Sequence, residues 1–117
     1  MNKKISNSFK AAWRGLKDIL IKEKNFKIML IIALLVIGAM FYFPTSRIEK
    51  VSLLIMIFSV LILELINSVI ERFLDFLHPL PDEQVKIIKD LMAAIVLVMS
   101  LGAIIIGLIV FWPYFFK

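Results

Sequence analysis

Residues 51–75 read VSLLIMIFSVLILELINSVIERFLD, an apolar run broken late by Glu64 and then by Asn67, Ser68, Glu71 and Asp75. It is long enough to cover the roughly 30 Å hydrocarbon core of a bilayer, which takes about 20 helical residues. On an ideal helix Glu64, Asn67, Ser68, Glu71 and Asp75 fall at about 0°, −60°, +40°, −20° and +20°. Three carboxylates, an amide and a hydroxyl therefore share one stripe, and the rest of the helix is mostly Leu, Ile, Val, Met and Phe. An ionised side chain deep in a membrane costs about 3 kcal/mol on insertion scales. A leucine at position 64 would avoid that cost, so Glu64 reads as a working residue. Asn67 and Ser68 alone also fit interhelical hydrogen bonds that hold a bundle together. Clustered carboxylates do not, because they repel unless a cation or proton comes between them.

Two more uncharged runs flank this one, Ile28–Ser46 and Leu91–Phe116. The expected fold is an all-α membrane protein, a single domain over residues 1–117 with three spans at about 28–46, 51–74 and 86–113. The composition agrees: 117 residues, 62% hydrophobic, with a mean hydropathy of +0.96 and no cysteine. Those values exclude a disordered chain, a disulfide framework, a cysteine-ligated metal and a multidomain enzyme. A cleaved signal peptide is not expected, since the first apolar run starts near residue 28 without a small-residue cleavage pattern. Pro44 and Thr45 mark one turn, and Pro79 and Pro81 the other.

The net charge of +5 is unevenly spread. Eight basic residues (Lys3, Lys4, Lys10, Arg14, Lys17, Lys22, Lys24 and Lys27) precede the first span. Arg72, Lys86 and Lys89 lie around the second loop, against only Arg47, Lys50 and Lys117 on the opposite side. Lys and Arg favour the cytoplasmic side. The N-terminus is thus expected inside and the C-terminus outside, in a bacterial cytoplasmic (inner) membrane. Residues 3–25 are too charged to cross, but Ile5, Phe9, Ala12, Trp13, Leu16, Ile19 and Leu20 share one face at about 100° per residue. With Lys3, Lys10, Arg14 and Lys17 opposite, this predicts a helix lying on an anionic lipid surface rather than a nucleic-acid partner.

Glu23 falls in the middle of that apolar face, so it needs a partner: a metal ion shared with Glu71, or Lys22 or Lys24. Lys89 and Asp90 open the third span. A lysine there suits phosphate as a point charge, with Asp90 fixing it or sharing a metal; a snorkelling lysine beside a helix-start aspartate is the plainer alternative. Asp75 reads equally as a solvated carboxylate. His78, without a second His or Cys, is a poor metal ligand. No phosphate-cradling glycine loop is present. Ala93, Ser100 and Gly107 form a small-residue face for close packing. Phe111, Trp112, Tyr114, Phe115 and Phe116 read as an interfacial aromatic belt.

Glu64-x-x-Asn67-Ser68-x-x-Glu71-x-x-x-Asp75, followed by Lys89-Asp90 and Ala93-Ala94, resembles the small prokaryotic diacylglycerol kinase and undecaprenol kinase family. Trp13-Arg14-Gly15-Leu16 and Glu23-Lys24-Asn25-Phe26-Lys27 extend the resemblance to nearly the whole chain. Val69, Met92 and Ala94 depart from the family's Ala, Ala and Gly. The resemblance implies a homotrimer with composite sites and transfer of the ATP γ-phosphate to a lipid hydroxyl with Mg²⁺. It implies Glu64 as general base, Glu23 and Glu71 as metal ligands, and Asn67, Asp75, Lys89, Asp90, Lys10 and Trp13 around nucleotide and phosphate. Glu64, Asn67 and Ser68 would meet the lipid. Phosphoryl transfer needs positioned charge more than covalent help, which these residue types supply. Two other classes compete: a small ion or proton conductor with the polar stripe as pore lining, and a non-catalytic recruitment subunit, which would tolerate Glu71→Ala. Asn25-Phe26-Lys27 leans toward undecaprenol over diacylglycerol.

Overall fold

The structure, a computed structural model, describes residues 2–116; Lys117, counted above among the outer basic residues, lies outside them. It is all α-helical, with α1 at Asn2–Lys22, α2 at Lys24–Tyr42, α3 at Arg47–Leu77 and α4 at Glu83–Phe115. The last three are long and apolar enough to cross a membrane. In lipid a helix satisfies its own backbone hydrogen bonds, so long apolar sequences with no polar partner strand settle into this form.

α3 and α4 run past the apolar stretches that predict them, and the reason is capping, whereas α2 begins earlier and stops short of Ser46. Ser46, expected at the end of the first span, is instead the cap of α3. Its Oγ accepts from the Glu49 amide at 3.1 Å, while a Glu49 carboxylate oxygen accepts from the Ser46 amide at 2.8 Å. This reciprocal pair satisfies two of the free N–H groups that begin any helix. α2 stops at Tyr42, where Phe43 is extended and leads with Pro44 into the turn. Asp82 starts α4 by accepting from the Gln84 amide at 2.7 Å.

α3 lies in the middle, with α4 along one flank and α2 along the other. The molecule is a slab of 54 × 44 × 21 Å, about two helices thick. Two side-chain contacts join the antiparallel α3 and α4 at opposite ends. Tyr114 donates to a Glu49 carboxylate oxygen at 2.7 Å, and Lys89 donates to Asp75 at 2.6 Å. At the Pro44 end Met40, Leu53 and Val110, one from each helix, meet in a buried cluster. Thr45 Oγ1 donates to the Met40 carbonyl at 2.7 Å and Lys50 to the Thr45 carbonyl at 2.7 Å, which fastens the turn over it. The aromatic belt is partly redirected: Phe43 packs against Phe111, Tyr114 and Phe115, while Trp112 and Phe116 stack on each other and stay exposed.

Met40 has no exposed surface. Truncation there removes contacts that lipid cannot restore without entering the cluster. Met40→Ala is expected to cost about 2 kcal/mol or more, seen as a lower midpoint in denaturant titration of the micellar protein; an unchanged midpoint would show that the cluster contributes no stability.

Candidate active site

The polar stripe of α3 turns into the protein. Glu64 and Ser68 are buried at 4% and 2% exposure, Asn67 and Glu71 are half-buried, and Asp75 emerges at the helix end. Helical period explains this gradient, because residues four and seven apart stay on one face while the flanking helices end near Asp75. Glu64 is therefore a carboxyl held inside a helical slab whose outer surfaces are hydrocarbon-like, with Leu35, Phe58 and Val98 among the exposed side chains. The Glu71 and Glu23 carboxylates lie close enough to act on it through space, and Asn67 lies beside it. The Asn67 Oδ1 is buried without a hydrogen-bond partner. A buried unfilled acceptor costs free energy, so this oxygen is available to a donor or cation that enters beside Glu64.

Glu23 is not on the apolar face of α1. α1 ends at Lys22, and Glu23 is extended at φ −102°, ψ 107° before α2 begins at Lys24. One non-helical residue therefore separates α1 from α2 and makes the bend between them. The periodicity that predicts a continuous helix through residue 25 fails at that residue. Neither Lys22 nor Lys24 partners Glu23. Arg72 does, with Nη2 at 3.4 Å from a Glu23 oxygen, while its Nη1 sits 2.6 Å from Asp18. Lys22 also pairs with Asp18, at 3.0 Å. Arg72 and Asp18 are the two residues that sequence reading misses here. The available signal was an arginine directly after Glu71, inside the polar turn, with two acidic residues, Asp18 and Glu23, near the end of α1.

The Lys89–Asp90 pair also separates. Lys89, half-buried, bonds Asp75 on α3, whereas Asp90 is exposed and accepts from Lys86 at 3.0 Å on α4 itself. Adjacent helix positions lie about 100° apart, so one lysine cannot be fixed by its neighbour and by α3 together. Lys89 stands at the mouth of an open cleft of about 730 Å³ under the α3–α4 loop, lined also by His78, Asp82 and Lys86. Lys10 and Trp13 lie exposed on α1, with no hydrogen bond or ion pair to α3 or α4 among the described residues. Within one chain the structure thus gathers Glu64, Asn67, Ser68, Glu71, Glu23, Asp75 and Lys89 at one end of the slab, and leaves Lys10, Trp13 and Asp90 apart.

Among the described residues no three acidic or histidine side chains converge as a closed metal cage. The donors present are two carboxylates, Glu23 and Glu71, near the empty Asn67 acceptor. That set fits Mg²⁺, which is commonly taken through one or two carboxylates plus phosphate oxygens and water. A second cleft of about 320 Å³ opens between α2 and α4 over α3, lined by residues such as Ala33, Val60 and Phe111. Ser100 and Gly107 of the small-residue face turn into it, whereas Ala93 is exposed. Its lining is otherwise apolar, and the one polar group turned into it is the Ser100 hydroxyl, buried without a hydrogen-bond partner among the described residues.

The Arg72 guanidinium, and after it Lys22, hold the Asp18 carboxyl below its ordinary value. The stability contributed by a lowered carboxyl is present above the unfolded pKa and is lost as pH falls through the folded one. The α1 contact should therefore persist unchanged down to about pH 5. Hydrogen exchange of the amides of residues 19–26 checks this, and faster exchange already at neutral-to-mildly acidic pH would contradict it.

Comparison with known proteins gives two findings. A family model described as prokaryotic diacylglycerol kinase matches residues 10–111. The undecaprenol kinase of Bacillus subtilis (strain 168) is 34% identical over 110 residues, covering 91% of this chain and 86% of that protein.

Proposed function

The chain belongs to the prokaryotic diacylglycerol kinase family, as a lipid kinase, and on that premise we propose that it transfers the γ-phosphate of ATP to the hydroxyl of a membrane lipid. The observation that carries this reading is the burial of Glu64, at 4% exposure, beside Glu23, Glu71 and the unfilled Asn67 acceptor. Glu64 takes the proton of the lipid alcohol as its oxygen bonds to the γ-phosphorus, and the bond from that phosphorus to the β-bridging oxygen breaks to release ADP. Lys89 leaves Asp75 for the phosphates, a short move for a half-buried lysine whose partner is solvated. Asn67 and Ser68 orient the hydroxyl. Mg²⁺, held through Glu23 and Glu71, would set positive charge against the phosphate oxygens.

Undecaprenol is the acceptor that the similarity to the Bacillus subtilis enzyme supports over diacylglycerol. A homotrimer completes the site, since Lys10, Trp13 and Asp90 stand away from Glu64 within one chain and the slab leaves broad apolar faces uncovered. The N-terminus and the Lys89 end face the cytoplasm, where ATP is.

The test is phosphorylation of both lipids by the purified protein in the same mixed micelles, with ATP and Mg²⁺. Incorporation into lipid, greater for undecaprenol, is expected. No incorporation into either lipid, together with ion flux in liposomes without ATP, would replace the reading with that of a conductor.

A further inference from the structure

α1 touches the rest of the molecule sparingly. Of its apolar stripe, Ile19 alone is buried, while Ile5, Phe9 and Trp13 are exposed. α2 begins one residue later with no side-chain cap on its first turn. Ile19 and Phe26 are buried on either side of the bend, and the Glu23 backbone donates to the Ile19 carbonyl at 2.8 Å and accepts from the Lys27 amide at 3.3 Å, but none of these contacts holds the Glu23 carboxylate. What spans the bend is Arg72, whose two guanidinium nitrogens reach Asp18 on one side of it and Glu23 at its apex.

We propose that Arg72 is a positioning residue that clamps the α1–α2 bend to α3 and so holds the Glu23 carboxylate beside Glu64 and Glu71. The chemistry of the guanidinium suits the task. Its planar fork presents two donors in fixed directions, so one side chain can hold carboxylates that belong to two different segments. The short contact, 2.6 Å to Asp18, is the anchor; the longer one, 3.4 Å to Glu23, leaves that carboxylate oriented but free to engage a cation. Arg72 also sets its positive charge against Glu23, one of the three neighbouring carboxylates. The register allows this because Arg72 follows Glu71 directly on α3 and points about 100° away from it. One helical turn thereby carries both a site carboxylate and the clamp for another. Asp18 and Arg72 are partly exposed, at 36% and 43%, so the clamp selects a bend angle rather than supporting the fold.

The role assigned to Glu23 rests on the lipid kinase reading, while the clamp itself does not. The experiment separates the two. The chain has no cysteine, so nitroxide labels placed through Lys17→Cys on α1 and Phe76→Cys on α3 report the bend as a distance distribution in micelles, without turnover. A narrow distribution is expected for the parent, a broad one for Arg72→Ala, and an intermediate one for Asp18→Asn and for Arg72→Lys, which reaches one carboxylate at a time. In the kinase assay Arg72→Ala should raise the Mg²⁺ concentration for half-maximal rate about tenfold, with the KM for lipid unchanged. Should Arg72→Ala fail to fold, Asp18→Asn and Arg72→Lys, both at partly exposed positions, carry the test. Identical distributions in all four proteins overturn the clamp whether or not lipid is phosphorylated. A broadened distribution with an unchanged Mg²⁺ requirement overturns its link to Glu23. Clear broadening in a protein that phosphorylates no lipid upholds the clamp and counts against the kinase reading instead.

Discussion

Glu64→Gln is expected to lower the rate of lipid phosphorylation by roughly a hundredfold to ten-thousandfold, the range general base catalysis contributes. The amide keeps the size and shape of the carboxyl and can still bond to Asn67, so a position buried at 4% stays filled and the helices stay packed. It cannot accept the alcohol proton. The loss should fall on kcat, with the KM for ATP nearly constant, because the proton is transferred in the chemical step and not on nucleotide binding. The measurement is ATP-dependent phosphate incorporation in mixed micelles, with far-UV circular dichroism to verify that the variant is folded. Near-parental activity would remove Glu64 from the mechanism and return the stripe to a packing role.

Lys89→Ala should be nearly as damaging, by about a hundredfold to a thousandfold in rate, the usual effect of losing one preorganised donor to developing charge. The fold gives this variant a clean interpretation. Asp75, the partner left behind, is 64% exposed and is readily hydrated, so little stability depends on the pair. Lys89→Arg keeps the charge but spreads it over a planar fork, and is expected to recover part of the rate. If alanine at position 89 left both kcat and the KM for ATP unaltered, the phosphate-facing role would pass to Lys86 on the rim of the same cleft.

Much of the architecture was legible because it is local. The three crossing helices follow from runs of uncharged residues, and the inward turn of Glu64 and Ser68 follows from helical spacing alone. Ser46-x-x-Glu49 was legible too, as a capping pattern, but the apolar run ending at Ser46 obscured it; the hydroxyl belongs to the helix that follows. The break at Glu23 was not legible, because a period of 100° per residue continues smoothly through it and nothing in the local composition forbids a longer helix.

The amino-acid sequence on its own determined the all-α membrane architecture, the polar stripe, and which carboxyl would be buried. Each depends on composition or on neighbours within two turns of one helix. Only the tertiary structure decided the pairings between helices: Arg72 with Asp18 and Glu23, Lys89 with Asp75, and Tyr114 with Glu49. These contacts join residues 14 to 65 apart in sequence. They exist only once antiparallel helices slide into one register, and that register is set by packing across three helices rather than by any single segment.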